Sequence, residues 1–345
     1  MAKKIVHIAS GEKFIPPFID FVKNNFNFND HEFLLTKGMA QASLTLANNI
    51  TLLVKGTRIA RLKHYFQILV KMHQADKVIL HSLADITIVK ILFFTPWLLK
   101  KCHWIIWGGD LYVYELGNRN RRWKVREVFR RPVIKNMGHL VSYVEGDIDL
   151  ARKWYGAKGT YKESIMYLSN TYREFNAPKS SSNTINIQLG NSANSSNNHI
   201  EMLEKLLPFK DQDICIYAPL SYSDQNHAKK VIAIGKKIFG HKFVALTEFM
   251  PFEEYLAFLG KIDIAIFNNS RQQAMGNIIT LLGMGKTVYI RSDTTQWQLF
   301  KNKNIKVYDV NDLHSLKNHY HQDNIDTVKR YFSTDNLRTQ LSELF

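Results

Sequence analysis

The chain has 345 residues, enough for two domains, and its 45% hydrophobic content is ample for packed cores. Its net charge of +16 is uneven, because residues 1–180 contain 28 Lys and Arg against 14 Asp and Glu, whereas residues 181–345 contain 18 against 16. Two cysteines exclude a disulfide framework and indicate a reducing compartment. The basic first half predicts a polyanionic partner, either an anionic membrane surface or a nucleic acid.

Short apolar runs alternate with helical spacing in the first half, and the N-terminus reads as a strand rather than a signal peptide. We predict strands at residues 3–10, 32–35, 78–81, 104–107 and 141–144. We predict helices at residues 14–23, 39–48, 58–73, 85–100 with a break near Pro96, 119–135 and 145–155. Residues 86–99 are very apolar, but Lys90 and Pro96 interrupt them and a spanning helix needs roughly 20 apolar residues. We therefore predict a buried helix there, or one that dips into the bilayer interface.

The second half repeats the strand–helix rhythm after a polar stretch at 169–183 that is typical of a linker. We predict strands at residues 184–189, 214–217, 243–245, 262–267, 287–290 and 305–307. Helices are predicted at residues 198–207, 227–239, 252–259, 275–284 and 295–300, and from 324 to the end. This alternation predicts α/β domains with mostly parallel sheets, and two such domains would face each other across a cleft.

The first half offers three candidates for a general base at predicted strand ends, namely Asp110, Glu145 and His81. Asp110 ranks first, because the double glycine Gly108-Gly109 before it leaves space beside its carboxylate. Capping of the next helix or turn is the structural alternative for Asp110. Gly11, Gly108, Gly109 and Tyr112 are the predicted acceptor-side or loop residues.

Two charged patterns in the first half have a functional and a structural interpretation. Asp147 and Asp149 form an Asp-x-Asp pair that can hold a divalent metal, but N-capping of a helix explains it more simply, and we predict no metal site. Residues 119–135 form a basic amphipathic helix that fits an anionic membrane surface, with a solvated basic face as the alternative. The predicted membrane residues are Arg121, Arg122, Arg130 and Arg131.

The strand ends of the second half are polar with little net charge, which fits a nucleotide diphosphate bound by dipoles and one arginine. The predicted donor site comprises Gly190, Asn191, Ser192, Asn197, Pro219, Tyr222, Glu248, Phe249, Arg271, Gln272, Gln273, Gly276 and Asn277. Arg271 can neutralise a phosphate, and the glutamines can bond sugar hydroxyls. An ordinary βα turn capped by its own Asn and Ser side chains is the alternative for the loop after Leu189.

Three motifs occur in order along the chain: Trp107-Gly-Gly-Asp-Leu-Tyr112, Leu189-Gly-Asn-Ser192 with Ser196-Asn-Asn-His199, and Arg271-Gln-Gln-Ala-Met-Gly276. With them the chain resembles the 4-acetamido-4,6-dideoxygalactose (Fuc4NAc) transferases of glycosyltransferase family 56, enzymes of enterobacterial common antigen assembly. The resemblance runs from His7 to Trp297 and is strongest over residues 184–300. It departs from the family pattern at Gly109, where Ala is expected, and in the loop after Ser192, which is richer in Asn.

The resemblance implies a GT-B fold, in which two Rossmann-like β/α/β domains face across a cleft. We place the acceptor and membrane-facing domain at residues 1–168, the linker at 169–183, the nucleotide-sugar domain at 184–325 and a terminal helical segment at 326–345. It implies transfer from a dTDP-sugar to an undecaprenyl-diphosphate-linked saccharide by a peripheral protein on the inner face of the cell membrane. No cofactor is expected.

Two alternatives remain open from the sequence. One is a GT-B glycosyltransferase that uses a UDP-sugar and another glycan acceptor. The other is a nucleic-acid-binding protein that uses the basic first half, but few aromatics accompany the arginines and no recognition motif is present, so no nucleic-acid partner is expected.

Overall fold

Two open parallel sheets organise the chain, one in each of two compact units. The computed structural model describes residues 4–11, 13–36, 48–52, 57–175 and 183–345. The first unit comprises Met1–Ser169 with Leu337–Phe345, and the second comprises Asn170–Asn336. The predicted α/β architecture is therefore present in both halves.

The first unit has a seven-stranded sheet in the order β3-β2-β1-β4-β5-β6-β7. Its strands are β1 (Ile5–Ala9), β2 (His31–Leu35), β3 (Ile50–Leu52), β4 (Lys77–His81), β5 (Cys102–Ile105), β6 (His139–Val141) and β7 (Thr160–Lys162). Its helices are α1 (Ile15–Asn25), α2 (Arg58–Gln74), α3 (Ile86–Phe94), α4 (Gly109–Leu116), α5 (Arg121–Lys135) and α6 (Glu145–Tyr155). All strand pairs are parallel, so every connection is a crossover.

The strand order decides where the helices lie. From β3 through β7 the chain moves across the sheet in one direction, and right-handed crossovers then place α2, α3, α5 and α6 on one face. Contacts of α3 with α2 and α5, and of α5 with α6, agree with this layer. Beneath it lies an apolar core that includes Leu80, Trp104 and Leu140.

The second unit has a six-stranded parallel sheet in the order β10-β9-β8-β11-β12-β13. Its strands are β8 (Ile185–Leu189), β9 (Ile214–Pro219), β10 (Phe243–Leu246), β11 (Ile264–Phe267), β12 (Thr287–Ile290) and β13 (Tyr308–Asp309). The helices that follow in chain order are α7 (His199–Lys205), α8 (Gln225–Phe239), α9 (Phe252–Lys261), α10 (Met275–Gly283), α11 (Thr295–Asn302), α12 (Gln322–Tyr331) and α13 (Thr334–Leu344). The chain runs from β8 to β9 and β10 on one side and then returns to β11 on the other side of β8. Ligands bind in such sheets where the strand order reverses in this way, here between β8 and β11.

Several predicted boundaries differ from the structure. The strand predicted at 141–144 lies at His139–Val141, and the strand predicted at 305–307 lies at Tyr308–Asp309. The edge strands β3 and β7 were not predicted, because three-residue segments carry too little periodicity. Residues 39–47 of a predicted helix and residues 176–182 of the predicted linker lie outside the described part of the chain.

The C-terminal segment is divided between the units, whereas we predicted one separate segment at 326–345. Helix α12 belongs to the second unit, and the chain from Leu337 returns to the first. The reason is burial, since Leu341 and Leu344 are fully enclosed and the Phe345 ring meets the ring of His31 at 4.5 Å. The ammonium of Lys77 also donates to the carbonyl oxygen of Leu344 at 2.8 Å.

The apolar segment 86–99 forms α3 followed by a 3-10 helix at Pro96–Lys101. Ile88, Val89 and Leu92 are buried, as the prediction of a buried helix requires. Among the described residues, no helix combines the length and the apolar character needed to cross a bilayer.

Candidate active site

Asp110, the first-ranked base candidate, is enclosed at the carboxyl edge of the first sheet. Its Oδ2 accepts hydrogen bonds from the Leu83 amide at 2.8 Å and the Trp104 indole at 2.7 Å. Its Oδ1 accepts from the Trp107 amide at 3.0 Å, and the residue is only 5% exposed. A carboxylate saturated by three donors ties the β4–α3 loop to the β5–α4 loop, so this geometry disfavours Asp110 as the base.

His81 also lies inside the first unit rather than at its surface. Its Nδ1 is 2.6 Å from the Tyr167 hydroxyl, and its Nε2 is 3.1 Å from Nδ1 of His7. Burial lowers the pKa of His81 to about 3, because the charged imidazolium would lose its hydration. An enclosed imidazole with this pKa is a poor base at neutral pH. The Trp107 indole donates to the same Tyr167 hydroxyl at 2.9 Å, so the histidine supports the loop that precedes Asp110.

Glu145 is the one of the three base candidates with an exposed side chain. It is the first residue of α6 and lies four residues beyond Val141, the last residue of β6, at the carboxyl edge of the sheet. Asp147, two residues later, is buried and accepts a hydrogen bond from the Tyr112 hydroxyl at 3.0 Å. Tyr112 therefore points into the core, which contradicts its prediction as an acceptor-side residue.

The other three residues predicted on the acceptor side or in its loops are glycines. Gly108 has a φ of +69°, a conformation that favours glycine, and its carbonyl accepts the first helical bonds of α4. Gly109 is exposed, and open space surrounds the position that a Cβ would occupy. Gly11 is half-buried in the loop that follows β1.

The arginines of helix α5 do not all lie on its solvent-exposed side. Arg130 is 2% exposed, pairs with Glu127 at 3.1 Å and donates to the carbonyls of Leu83 and Asp110. Its prediction as a membrane residue is wrong, because its guanidinium is used inside the unit. Arg121 and Arg122 are exposed, and Arg131 is exposed beside Glu127.

In the second unit, the loop after β8 depends on a glycine and a buried asparagine. Gly190 has a φ of +69°, and a Cβ there would lie 2.6 Å from Nε2 of His199 and 2.9 Å from Oδ1 of Asn197. The Asn197 carboxamide is buried, accepts from the Asn191 amide at 3.1 Å and donates to the Ser192 carbonyl at 3.2 Å. Asn197 and Ser192 thus shape the loop from inside and are not displayed on its surface.

A chain of side-chain hydrogen bonds joins the loops that follow β8, β9 and β11. Asn191 donates to the Tyr222 hydroxyl at 3.2 Å and accepts from the Gln273 amide at 3.2 Å. The Gln273 oxygen accepts from the Ser196 hydroxyl at 2.7 Å. Residues from three predicted strand ends, Asn191, Tyr222 and Gln273, are therefore joined in one network, which we call the amide network together with Ser196.

Helix α10 begins beside this network without a side-chain cap. Its N-cap residue, Ala274, has a φ of +61° and no capping group, so the first amide N–H groups of the helix carry the positive end of its dipole. Gly276 and Asn277 are half-buried in this first turn, and Arg271 is half-buried in the loop before it. The Arg271 guanidinium donates to the Gln272 carbonyl at 3.0 Å, so it is held near the helix start.

Three other predicted donor residues lie at the ends of β9 and β10. Pro219 is buried at the end of β9, whereas Glu248 and Phe249 are exposed after β10. Both follow β10, the edge strand of the sheet, which pairs with β9.

Two asparagines at the end of β11 were not among the predicted site residues. Asn268 and Asn269 are fully buried, and their side-chain amides have no hydrogen-bond partner within the described residues. The side-chain oxygen of the buried Gln296 accepts from the backbone N–H of Gln273 at 3.1 Å. Nε2 of Gln296 has no hydrogen-bond partner within the described residues. A polar pair directly after a buried apolar strand was the available sequence signal. Buried amides without partners mark a place that water or a polar ligand completes.

The two acids of the Asp-x-Asp pair lie in different environments, because Asp147 is buried and accepts from the Tyr112 hydroxyl, whereas the Asp149 side chain is 68% exposed beside Arg152. Within the described residues, no three His, Cys, Asp or Glu side chains gather in a way that could hold a metal ion.

The chain matches a known protein family, and its fold is similar to that of several solved structures. A model of the family described as 4-alpha-L-fucosyltransferase glycosyl transferase group 56 matches residues 21–335. The fold is similar to that of sucrose-phosphate synthase from Thermosynechococcus elongatus, with a TM-score of 0.69, 9% identity, and 99% and 98% of the two chains covered. It is also similar to HepE of Anabaena in complex with UDP, with a TM-score of 0.68, 9% identity and 99% of each chain covered.

WaaG, a glycosyltransferase involved in lipopolysaccharide biosynthesis, matches with a TM-score of 0.62 and 11% identity over 99% of this chain and 98% of that chain. At such low identities these likenesses establish the fold alone, which is GT-B, as predicted.

Proposed function

The chain belongs to glycosyltransferase group 56 and is therefore a glycosyltransferase, and we propose that it transfers a 4-acetamido-4,6-dideoxyhexose from a dTDP-sugar to a polyprenyl-diphosphate-linked saccharide. The resemblance of the motifs at Trp107, Leu189 and Arg271 to the Fuc4NAc transferases supports this choice of donor, sugar and acceptor. A UDP-sugar donor with another glycan acceptor is the competing assignment.

The observation that carries the donor assignment is the start of α10. An uncapped helix N-terminus beside Arg271 favours a diphosphate, because amide N–H groups, the helix dipole and a guanidinium all stabilise negative charge. The adjacent amide network of Asn191, Tyr222 and Gln273 offers neutral donors and acceptors that suit sugar hydroxyl or amide groups.

In the proposed reaction, an acceptor hydroxyl attacks the anomeric carbon of the donor sugar. A bond forms between the hydroxyl oxygen and that carbon, and the bond from the carbon to the diphosphate oxygen breaks. The departing nucleoside diphosphate keeps the electron pair, and its charge is stabilised by Arg271 and the first turn of α10. Glu145, exposed at the carboxyl edge of the first sheet, takes the hydroxyl proton.

We further propose that the transfer is metal-independent, because the helix start and Arg271 supply the positive charge that a divalent ion provides in other transferases. The acceptor lipid places the work of the enzyme on the inner face of the cell membrane, where an anionic leaflet attracts the basic first unit.

Calorimetric titration with dTDP, UDP and dTMP tests the donor assignment. We expect dTDP to bind more tightly than dTMP, because the second phosphate reaches the start of α10, and more tightly than UDP. Arg271→Ala should weaken dTDP binding about tenfold through loss of a charge-assisted hydrogen bond while leaving dTMP binding nearly unchanged. Lys303→Ala, which removes a charge elsewhere in the second unit, serves as the control. Equal dTDP affinity in the Arg271 variant would refute the phosphate role.

A further inference from the structure

An apolar stripe runs along the outer side of α2 and takes no part in the transfer site. Ile59, Leu62, Phe66 and Val70 recur at helical spacing and are exposed, with Leu62 at 70% and Phe66 at 64%. The opposite side of the helix is the one that packs, since His64, Ile68 and Met72 are buried. Helix α2 thus has one apolar side in the core and a second apolar side in solvent, which a solvated surface helix does not need.

The stripe continues onto the neighbouring elements of the same helical layer. The indole of Trp97, 60% exposed, donates to Nε2 of His73 in the last turn of α2 at 3.1 Å. Phe94 is exposed at the end of α3, and its ring lies 6.5 Å from that of Phe129 on α5. Two further apolar side chains of α5, at positions 125 and 128, are exposed as well. We call this surface, formed by exposed apolar residues of α2, α3 and α5 with Trp97, the apolar face.

Charge on these elements is almost entirely positive. Helices α2 and α3 and the 3-10 helix at Pro96–Lys101 contain no acidic residue. The acid of α5 is Glu127, which is buried against Arg130 and Arg131. The exposed cations carried by these elements are Arg58, Arg61, Lys63, Lys90, Lys100, Arg121, Arg122 and Lys124.

We propose that the apolar face inserts into the headgroup region of an anionic bilayer, with the exposed Lys and Arg side chains of these elements on the lipid phosphates. Insertion removes Leu62, Phe66, Phe94 and Trp97 from water, and the burial of their apolar surface stabilises the bound state. The exposed cations of the same elements are attracted to the anionic lipid headgroups. The proposal deepens the membrane part of the proposed function by moving the contact from the arginines of α5 to the apolar side chains of α2 and α3.

The charge pattern selects the bilayer over a second copy of this chain. Two identical faces meeting in a dimer would bring one set of exposed cations against another, and like charges without partners disfavour such a contact. An anionic lipid surface offers hydrocarbon for the apolar side chains and phosphates for the cations.

Sedimentation with vesicles tests the proposal without donor or acceptor, so its failure and the failure of the transfer reaction are distinguishable. The wild-type chain should sediment with vesicles of equal parts phosphatidylglycerol and phosphatidylcholine, and retain part of this binding in concentrated salt. Leu62→Ser with Phe66→Ser should lower the partition coefficient at least about tenfold. These side chains are exposed, so the unfolding temperature should stay unchanged.

Leu207→Ser with Tyr320→Ser is the matched control, because it removes an exposed aliphatic and an exposed aromatic side chain from the second unit. It should sediment like the wild type. Equal sedimentation of the Leu62/Phe66 variant, or complete loss of wild-type binding in concentrated salt, would overturn insertion. Self-association of the wild type without vesicles that the Leu62/Phe66 variant abolishes would assign the face to a second copy instead.

Discussion

The carboxyl edges of the two sheets have the same architecture but differ in how their most deeply buried polar side chains are hydrogen-bonded. In the first unit, Asp110 receives three donors and His81 is bonded on both ring nitrogens, so the protein itself satisfies the groups. In the second unit, Asn268 and Asn269 are as deeply buried but have no partner within the described residues. Because an unpartnered buried amide costs about 1–3 kcal/mol, a water or ligand that bonds Asn268 and Asn269 would stabilise the second edge.

This difference distinguishes polar residues that stabilise a loop from polar residues that are available to a ligand. A polar side chain at a strand end attracts attention whether it stabilises a loop or meets a ligand. The partners decide which, and the following changes test that distinction from the largest expected effect to the smallest.

Asp110→Asn should destabilise the first unit by about 4 kcal/mol. One carboxylate oxygen becomes an NH₂ group that faces an N–H donor, which leaves buried donors without an acceptor. Urea unfolding measures the loss, with Asp149→Asn, an exposed acid of the same unit, as a control that should behave like the wild type. A wild-type unfolding midpoint with lost turnover would restore Asp110 as a base.

Glu145→Gln should lower kcat about 100-fold while leaving the unfolding temperature and dTDP affinity unchanged. The side chain is exposed, so its amide substitutes without a packing cost. Steady-state kinetics with calorimetry makes the measurement, and Asp149→Asn on the same helix is again the comparison. Turnover within a few-fold of the wild type would remove Glu145 as the base.

Asn269→Leu should stabilise the ligand-free protein by about 1 kcal/mol and weaken dTDP-sugar binding several-fold, because an unpartnered amide is replaced by an apolar group of similar size. Asn197→Leu is the matched control, since that buried amide is fully bonded and its loss should destabilise. Thermal unfolding with and without ligand compares the two. If both variants are destabilised alike, Asn269 has a structural role.

EDTA should leave turnover unchanged, which is the smallest effect in the series. Asp147 is buried and hydrogen-bonded to Tyr112, whereas Asp149 is exposed and paired with Arg152. The two carboxylates therefore cannot bind one ion without rearrangement. The assay is initial rate after dialysis against chelator, with re-added Mg²⁺ as the comparison. A rate that falls with EDTA and returns with Mg²⁺ would contradict metal independence.

Much of the fold was predictable because it rests on local periodicity. The helix at 58–73 and the strand at 287–290 match α2 and β12 closely, since each has a long apolar pattern or sharp boundaries. The three-residue strands β3 and β7 have neither. The return of α13 to the first unit depends on contacts between residues far apart in sequence, such as Lys77 with Leu344, which no local pattern encodes.

The candidate site was predictable in position but less so in detail. Strand ends placed Asn191, Tyr222 and Gln273 at one edge, and the structure joins them. The sequence could not distinguish a saturated acid such as Asp110 from an exposed one such as Glu145, because both follow a strand. Nor could helical spacing show that Arg130 turns inward while Arg121 and Arg122 do not, since the core beneath α5 is formed by other segments.

The return of α13 also bears on the order in which the molecule is completed during synthesis. The first unit is begun by the earliest residues, yet Leu337, Leu341 and Leu344 fill part of its interior. A ribosome must therefore make the whole second unit before the first can close. Until then the apolar surface that Leu341 and Leu344 cover is exposed to water. In a chain truncated at residue 169 this surface would stay exposed.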